Sequence, residues 1–381
     1  MIRAGAGLST ASDPRIAAEQ ASEAALVGAG GADVALLFAT PGFAGIRDLL
    51  GAASACLGTR EVVGATAQGV LAGGRDCENL PAVAVLALSG LDSASFLLGD
   101  LAGDEHRAGE EIASRLGEPR PEDLVVLLPD PGGVRPEPLL RGVAEALGPA
   151  RVVGAGAVDP LSATPLQWCG DRIESGALAG LVLRLEVPAR IGVTQACRPT
   201  TELMRVTRAR GNWVLEIDGR PALDVYREAA RAPLAEDLRR AASFLLVALP
   251  ADADASLRPG SYLVRHVIGF APEQRAFALP EMPRQGQALA LALRDPAAAR
   301  EDLKAMLEGL GGAPACGLYF NCCARGASFF GIQGLEAAYL DSALEGRPLA
   351  GMFGSCEIGP IGRRTELLTY TGVLALLDDP R

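Results

Sequence analysis

Basic side chains other than arginine, and aromatic side chains, are scarce in this chain. Lys304 is the only lysine, His106 and His266 are the only histidines, and aromatic residues fill 4% of the 381 positions. Two histidines leave few bases for a cysteine hydrolase. With 46 acidic against 35 basic residues, the net charge of −11 repels phosphate backbones and anionic lipid surfaces. Neither nucleic acid nor membrane is expected as a partner. No apolar stretch approaches the ~18 residues of a spanning helix, and Met1–Gly7 lacks the apolar core of a signal peptide. The expectation is a soluble, cytoplasmic protein. The eight cysteines (56, 77, 169, 197, 316, 322, 323 and 356) include no C-x-x-C pair and lie in apolar runs or beside glycines. They read as reduced, mostly buried thiols, and no spacing supplies a zinc site.

An internal repeat organises the rest. Shifted by 90 residues, Ala32–Ala65 aligns without a gap on Glu122–Ala155, with 12 identities in 34 positions. The matches fall at structural corners. Asp33 and Asp123 precede apolar runs (Val34–Phe38, Leu124–Leu128), and Pro41-Gly42 and Pro131-Gly132 follow them. Leu49-Leu50 and Leu139-Leu140 sit in helical segments closed by Gly58 and Gly148, and Val62-Val63-Gly64-Ala65 meets Val152-Val153-Gly154-Ala155. Each copy then passes a polar interruption to a further apolar strand, Ala82–Leu88 or Ala177–Leu185. The unit is strand, helix, strand, hairpin strand, spanning 32–90 and 122–185. Continuous apolar strands between helices imply sheets covered on both faces, so the class is α/β with mixed sheets.

A looser third copy closes the chain, with strands at Ala315–Asn321, Pro348–Phe353 and Leu367–Leu377 and a helix at Gly334–Leu344. Between them, Val193–Thr207 and Trp213–Ile217 alternate around Arg210-Gly211-Asn212 and predict a solvent-facing hairpin over 193–218. Helical stretches follow over Ala222–Ala242, then a strand at Phe244–Ala248 and a turn-rich segment at Asp252–Pro259.

Polar groups gather where two late strands should end: Phe320-Asn321-Cys322-Cys323-Ala324-Arg325-Gly326 and Gly351-Met352-Phe353-Gly354-Ser355-Cys356-Glu357. In α/β folds ligands sit beyond the carboxyl ends of strands. Arg325 and Glu357 are expected to face each other across one crevice. There they would hold the carboxylate and ammonium of an amino-acid-like ligand, or staple two loops as an ion pair. Asn321, Gly351 and Phe353 would line the same recess, as would Thr66 and Gln68 from Gly64–Gly69, unless that stretch is a plain hairpin connection. Cys322 or Cys323 beside Arg325 would be the nucleophile of a cysteine-dependent enzyme, the alternative reading.

With those residues in view, the chain resembles the FIST family. The resemblance rests on Val62–Thr66, on Asn212-x-Val214-x-Glu216-Ile217-Asp218-Gly219, and on Cys323-x-Arg325-Gly326 followed by Pro348-Leu349-x-Gly351 and Cys356-Glu357-Ile358-Gly359-Pro360. It implies a FIST N-terminal domain over 20–235 and a related FIST C-terminal α/β domain over 236–378. It also implies a non-enzymatic cytoplasmic sensor of a small ligand, of amino-acid class, acting in signal transduction. Because the two parts use up the chain, output is expected through a separate partner such as a histidine kinase. The final strand carries Leu367–Thr371 where the family pattern often has a histidine. Some FIST-like proteins are haem-containing nitric oxide sensors; that second alternative would need His106 or His266 as axial ligand, and no cofactor is otherwise expected.

Overall fold

The structure, a computed structural model, describes all residues except 117, 149, 163, 253–256 and 381. The repeat holds in three dimensions and the third copy completes it. Each copy contains a parallel strand pair: Val34–Ala39 with Val62–Thr66, Leu124–Pro129 with Arg151–Ala155, and Cys316–Cys322 with Leu349–Gly354. An antiparallel strand flanks the first member of each pair (Val83–Ser89, Leu178–Arg184, Thr371–Leu377), and one more lies outside it (Arg3–Ser9, Asp92–Leu98, Arg190–Gln195). The strand expected over Leu367–Leu377 is broken at Tyr370, whose φ of 59° makes a turn before Thr371.

Although every residue of Val34–Ala39 is buried, its side chains sort by parity. Val34, Leu36 and Phe38 enter a core shared by all three sheets, where they join Val126 of the second copy and Leu318 of the third; Ala35 and Leu37 meet helices instead. Both faces are covered, so the strands read as unbroken apolar runs. The helices come in pairs, one pair per sheet: Pro14–Ala29 and Ile46–Leu57, Arg107–Leu116 and Pro136–Leu147, Pro296–Leu310 and Leu335–Ala343. The first starts where the Asp13 carboxylate accepts from the Arg15 and Ile16 amides, and ends at Gly30 with φ 65°.

The polar interruption after each second parallel strand is a hairpin that leaves its own sheet. Gly69–Ala72 and Arg75–Glu78 extend the third sheet through Leu349–Gly354. Gln167–Cys169 and Arg172–Glu174 extend the first through Val62–Thr66. Glu357–Ile361 and Arg364–Leu368 extend the second through Arg151–Ala155. Each copy completes another's sheet, in a closed three-way exchange. Gly64–Gly69 is therefore no plain hairpin connection, since Val62–Thr66 and Gly69–Ala72 lie in different sheets.

A nine-stranded sheet built from residues 197–294 stands between the third copy's outer strand and its first helix. The expected hairpin is present as Met204–Arg210 with Trp213–Ile217. The long strand expected from Val193 divides, however: Arg190–Gln195 belongs to the third sheet and Cys197–Pro199 pairs with Ala288–Arg294. The helical stretch splits into Ala222–Ala230, the short turn Leu234–Glu236, and Leu238–Ala242. Part of the turn-rich segment Asp252–Pro259 lies outside the described residues. Among the described residues no helix is long and apolar enough to cross a membrane.

Candidate functional site

The loops that follow the three parallel pairs meet at the centre of the exchange. The Val158 amide donates to Thr66 O at 3.1 Å, Ser355 N to Gly156 O at 3.0 Å, Gly156 N to Cys356 O at 2.9 Å, and Gln68 N to Phe353 O at 2.9 Å. Beside this ring the strand Cys316–Cys322 runs into a one-turn helix, Cys323–Arg325, which carries the Arg325 side chain inward until it is fully buried.

A guanidinium in that position needs a carboxylate, and Glu336, the second residue of helix Leu335–Ala343, supplies it. Arg325 Nη2 donates to Glu336 Oε1, and Nη1 to Thr194 O at 3.5 Å. Asn321 Nδ2 donates to Glu336 Oε2 at 2.6 Å and the Tyr319 hydroxyl to Oε1 at 3.3 Å. Burial opposes the Arg325 charge, but Glu336, with Tyr319 and Cys322, outweighs it and raises the guanidinium pKa. The guanidinium also lies over the Phe330 ring, 5.9 Å from its centroid.

Glu357 is fully buried as well. Its Oε2 accepts from the Thr371 amide at 3.1 Å and from the Thr371 hydroxyl at 2.6 Å, while Oε1 has no hydrogen-bond partner among the described residues. Burial, then the nearby Cys322, push its carboxyl well above the usual glutamate range, against Thr371 and Arg325. Cys322 donates to Cys323, which lowers the Cys323 thiol while its own rises well above the ordinary value. Cys323 is half-buried; Cys322 and Cys356 are buried, and burial pushes Cys356 up to about 12.

The structure thus brings Asn321, Cys322, Cys323, Arg325 and Glu357 into one buried polar centre. Arg325 and Glu357 are near enough to interact electrostatically, but the carboxylate that pairs with Arg325 is Glu336, which replaces the expected Arg325–Glu357 staple. Gly351 sits in the strand floor, and a Cβ there would lie 1.9 Å from Tyr319 O. Phe353 is buried and holds Gln68 through its carbonyl. Thr66 accepts the Leu166 amide at 3.0 Å and Gln68 Nε2 donates to Asn79 Oδ1 at 3.2 Å. Sequence reasoning misses Glu336, Thr371 and Glu78, whose Oε1 accepts the Ala327 amide at 2.8 Å across the exchanged hairpin. Only Glu336 carries a legible signal, an acid at the start of a helix in a copy whose arginine needs neutralising.

The two imidazoles do not fit an enclosed haem site. His106 Nε2 is on the surface, 2.7 Å from Glu145, and His266 is exposed just beyond the strand Tyr262–Arg265. Among the described residues no three His, Cys, Asp or Glu side chains converge as metal ligands.

The raised Glu357 carboxyl has a measurable consequence. An unfolded glutamate ionises near 4.5, whereas the folded chain keeps the Glu357 proton to higher pH. The stability this contributes is full below the unfolded value and is lost as pH rises towards the folded one. Glu357→Gln keeps an acceptor for Thr371 and has no proton to lose. Thermal melts from about pH 5 to about pH 9 are expected to show a flatter profile for Glu357→Gln than for the wild type, with the difference growing on the alkaline side. Parallel profiles would mean that Glu357 is ionised in the fold.

Comparison with known proteins agrees with this architecture. The FIST N domain family model matches residues 33–220 and the FIST C domain model matches 222–360. Uncharacterized protein Rv0628c of Mycobacterium tuberculosis (strain ATCC 25618 / H37Rv) is 31% identical over 387 aligned residues, covering 99% of this chain and 100% of the relative. Uncharacterized protein Mb0898c of Mycobacterium bovis (strain ATCC BAA-935 / AF2122/97) is 30% identical over 392, covering 99% of each. The exchange of hairpins, the Cys323-x-Arg325-Gly326 turn and the Glu357 strand thus sit in a chain that belongs to the FIST family.

Proposed function

We propose that the chain is a cytoplasmic sensor that binds a small amino-acid-like ligand at the Arg325–Glu336–Glu357 centre and passes the signal to a separate partner such as a histidine kinase. FIST domains are generally small-ligand sensor domains of signal transduction and are not typically enzymes. The observation that carries the location is that two of the eight buried side-chain atoms without a hydrogen-bond partner among the described residues, Glu357 Oε1 and Arg325 Nε, belong to this one centre. Native folds pair nearly all such atoms with protein, water or ligand. Cys323, a partly exposed member of the centre, marks the side nearest solvent.

The charge balance favours a ligand of no net charge. Arg325 and Glu336 neutralise each other, and a protonated Glu357 adds nothing, so a net ion would enter a buried site without a counter-charge. A zwitterion carries its own compensation, with the Glu357 acid donating to its carboxylate.

A thermal-shift screen of the full chain against the common amino acids tests this. A ligand at ~100 times its Kd adds about 2.7 kcal/mol to the native state, so at least one is expected to raise the melting temperature by several degrees. Glu357→Gln, whose amide can still donate to a carboxylate, is expected to keep most of that rise, and Glu357→Met, which has no donor, is expected to lose it. If no amino acid shifts the wild type, the ligand class is wrong. If the shift survives in Glu357→Met unchanged, the location is wrong.

A further inference from the structure

A cleft of about 630 Å³ lies away from the buried centre, where three parts of the chain meet. One wall is helix Pro136–Leu147, another is the tip of hairpin Glu357–Leu368, and the third comes from Leu263 and Arg265 of the nine-stranded sheet with Glu281 just beyond its strand Ala276–Ala278. That volume is in the range of small-molecule sites, which favour junctions between structural units. The floor is apolar, with Leu140, Val143, Val152 and Leu367 among its lining.

The rim is cationic in a protein of net charge −11. Of the four arginines lining the cleft, Arg141 is paired with Glu137 at 3.0 Å and Arg265 with Glu281 at 3.1 Å. Arg363 and Arg364 have no ion pair among the described residues. Arg265 is 8% exposed, and its position is fixed: Nε donates to Glu281 Oε2 and Nη1 to Val264 O at 3.0 Å, which leaves Nη2 without an acceptor among the described residues. A nearly buried guanidinium with one free nitrogen at an apolar cleft is a prepared anion anchor. The remaining acid, Glu366, makes no hydrogen bond or ion pair among the described residues. Burial pushes its carboxyl up against the attraction of Arg265 and Arg364, so it is the group an incoming anion has to displace from those two arginines.

We propose that this cleft binds a small amphiphilic carboxylate, with its apolar body on Leu140, Val143 and Leu367 and its head group on Arg265 Nη2 and the Arg364 guanidinium. The site is separate from the Arg325–Glu357 centre and does not rest on the reading given for it. It is nonetheless connected to it, because the hairpin strand that starts at Glu357 returns through Arg364 and Glu366 in the cleft wall. An occupant would tie the second copy's helix, the third copy's hairpin and the nine-stranded sheet together.

The test is calorimetric titration of the full chain with octanoate, using 1-octanol as the neutral molecule of equal length. Octanoate is expected to bind at least about tenfold more tightly than 1-octanol. The double variant Arg363→Glu/Arg364→Glu, exposed enough to fold, is expected to weaken octanoate at least about tenfold. Ala144→Trp, at an exposed cleft position, is expected to abolish binding by filling the space, with an unchanged circular dichroism spectrum and melting temperature. Arg15→Glu, a charge reversal on the first helix, is expected to change nothing. Absence of octanoate binding, equal binding of 1-octanol, wild-type affinity in Ala144→Trp or the double variant, or an equal loss in Arg15→Glu would each overturn the proposal.

Discussion

Glu336→Ala is expected to destabilise the chain by about 3–5 kcal/mol, because it leaves the fully buried Arg325 charge without its carboxylate. Two further donors lose their acceptor at the same time, Asn321 Nδ2 and the Tyr319 hydroxyl, so the upper part of that range applies. The cost lies in stranding the charge rather than in losing a valuable bond. Replacing both partners with apolar residues of similar volume is often neutral or stabilising, so Arg325→Met/Glu336→Leu is expected to recover the part of the loss due to the stranded charge, while Asn321 and Tyr319 still lack their acceptor. Glu345→Ala, an exposed acid just past the same helix, is expected to stay within ~0.5 kcal/mol. Urea denaturation of the four proteins decides it: a Glu336→Ala loss no larger than that of Glu345→Ala would mean that Arg325 reaches water after all. The same reasoning puts the probe of ligand binding at Glu357, where a neutral substitution strands no charge. An Arg325 variant would mix lost recognition with lost folding.

The repeated unit was legible because its corners are chemically constrained. Asp33 and Asp123 each fix a loop by accepting backbone or side-chain donors: Gly90 N at 2.7 Å for the first, Arg120 for the second. Gly58 and Gly148 end helices with positive φ. Such requirements are local, so they survive in sequence at a fixed spacing. The hairpin exchange was not legible. Gly69–Ala72 finds its partner about 280 residues away, and an apolar strand with a short polar return reads the same whether it pairs with its own sheet or another. The site was divided in the same way. Asn321, Cys322, Cys323 and Arg325 are contiguous or nearly so and Glu357 stands just past the neighbouring strand, so their convergence followed from the α/β rule. The partner of Arg325 did not, because Glu336 and Glu357 are equally good acids in a sequence, and only the packing of helix Leu335–Ala343 chooses between them.

Gly64→Ala, Gly154→Ala and Gly351→Ala are expected to be among the most damaging single-methyl changes at the described residues. The three glycines occupy the same register in the three copies, paired in parallel with Leu37, Leu127 and Tyr319. A Cβ at these positions would stand 1.7 Å from Leu37 O, 1.9 Å from Leu127 O and 1.9 Å from Tyr319 O. The obstacle is backbone in the middle of a sheet buried on both faces, so no side-chain rotation relieves it. Overpacking a well-filled core usually costs about 1–3 kcal/mol, with relaxation of side chains included; here each substitution is expected to reach or exceed about 3 kcal/mol. Gly51→Ala supplies the opposite case. It lies on the exposed side of helix Ile46–Leu57 with nothing within 4 Å of its added methyl, so it is expected to stabilise by about 0.5–1 kcal/mol through helix propensity and a less flexible unfolded chain. Denaturant unfolding of the four variants is the measurement. A Gly64→Ala protein as stable as the wild type would show that the parallel strands can separate at this point. It would undo the claim that close strand contact, repeated three times, is what kept the Val-Val-Gly-Ala pattern in both early copies and left a glycine at the matching position of the third.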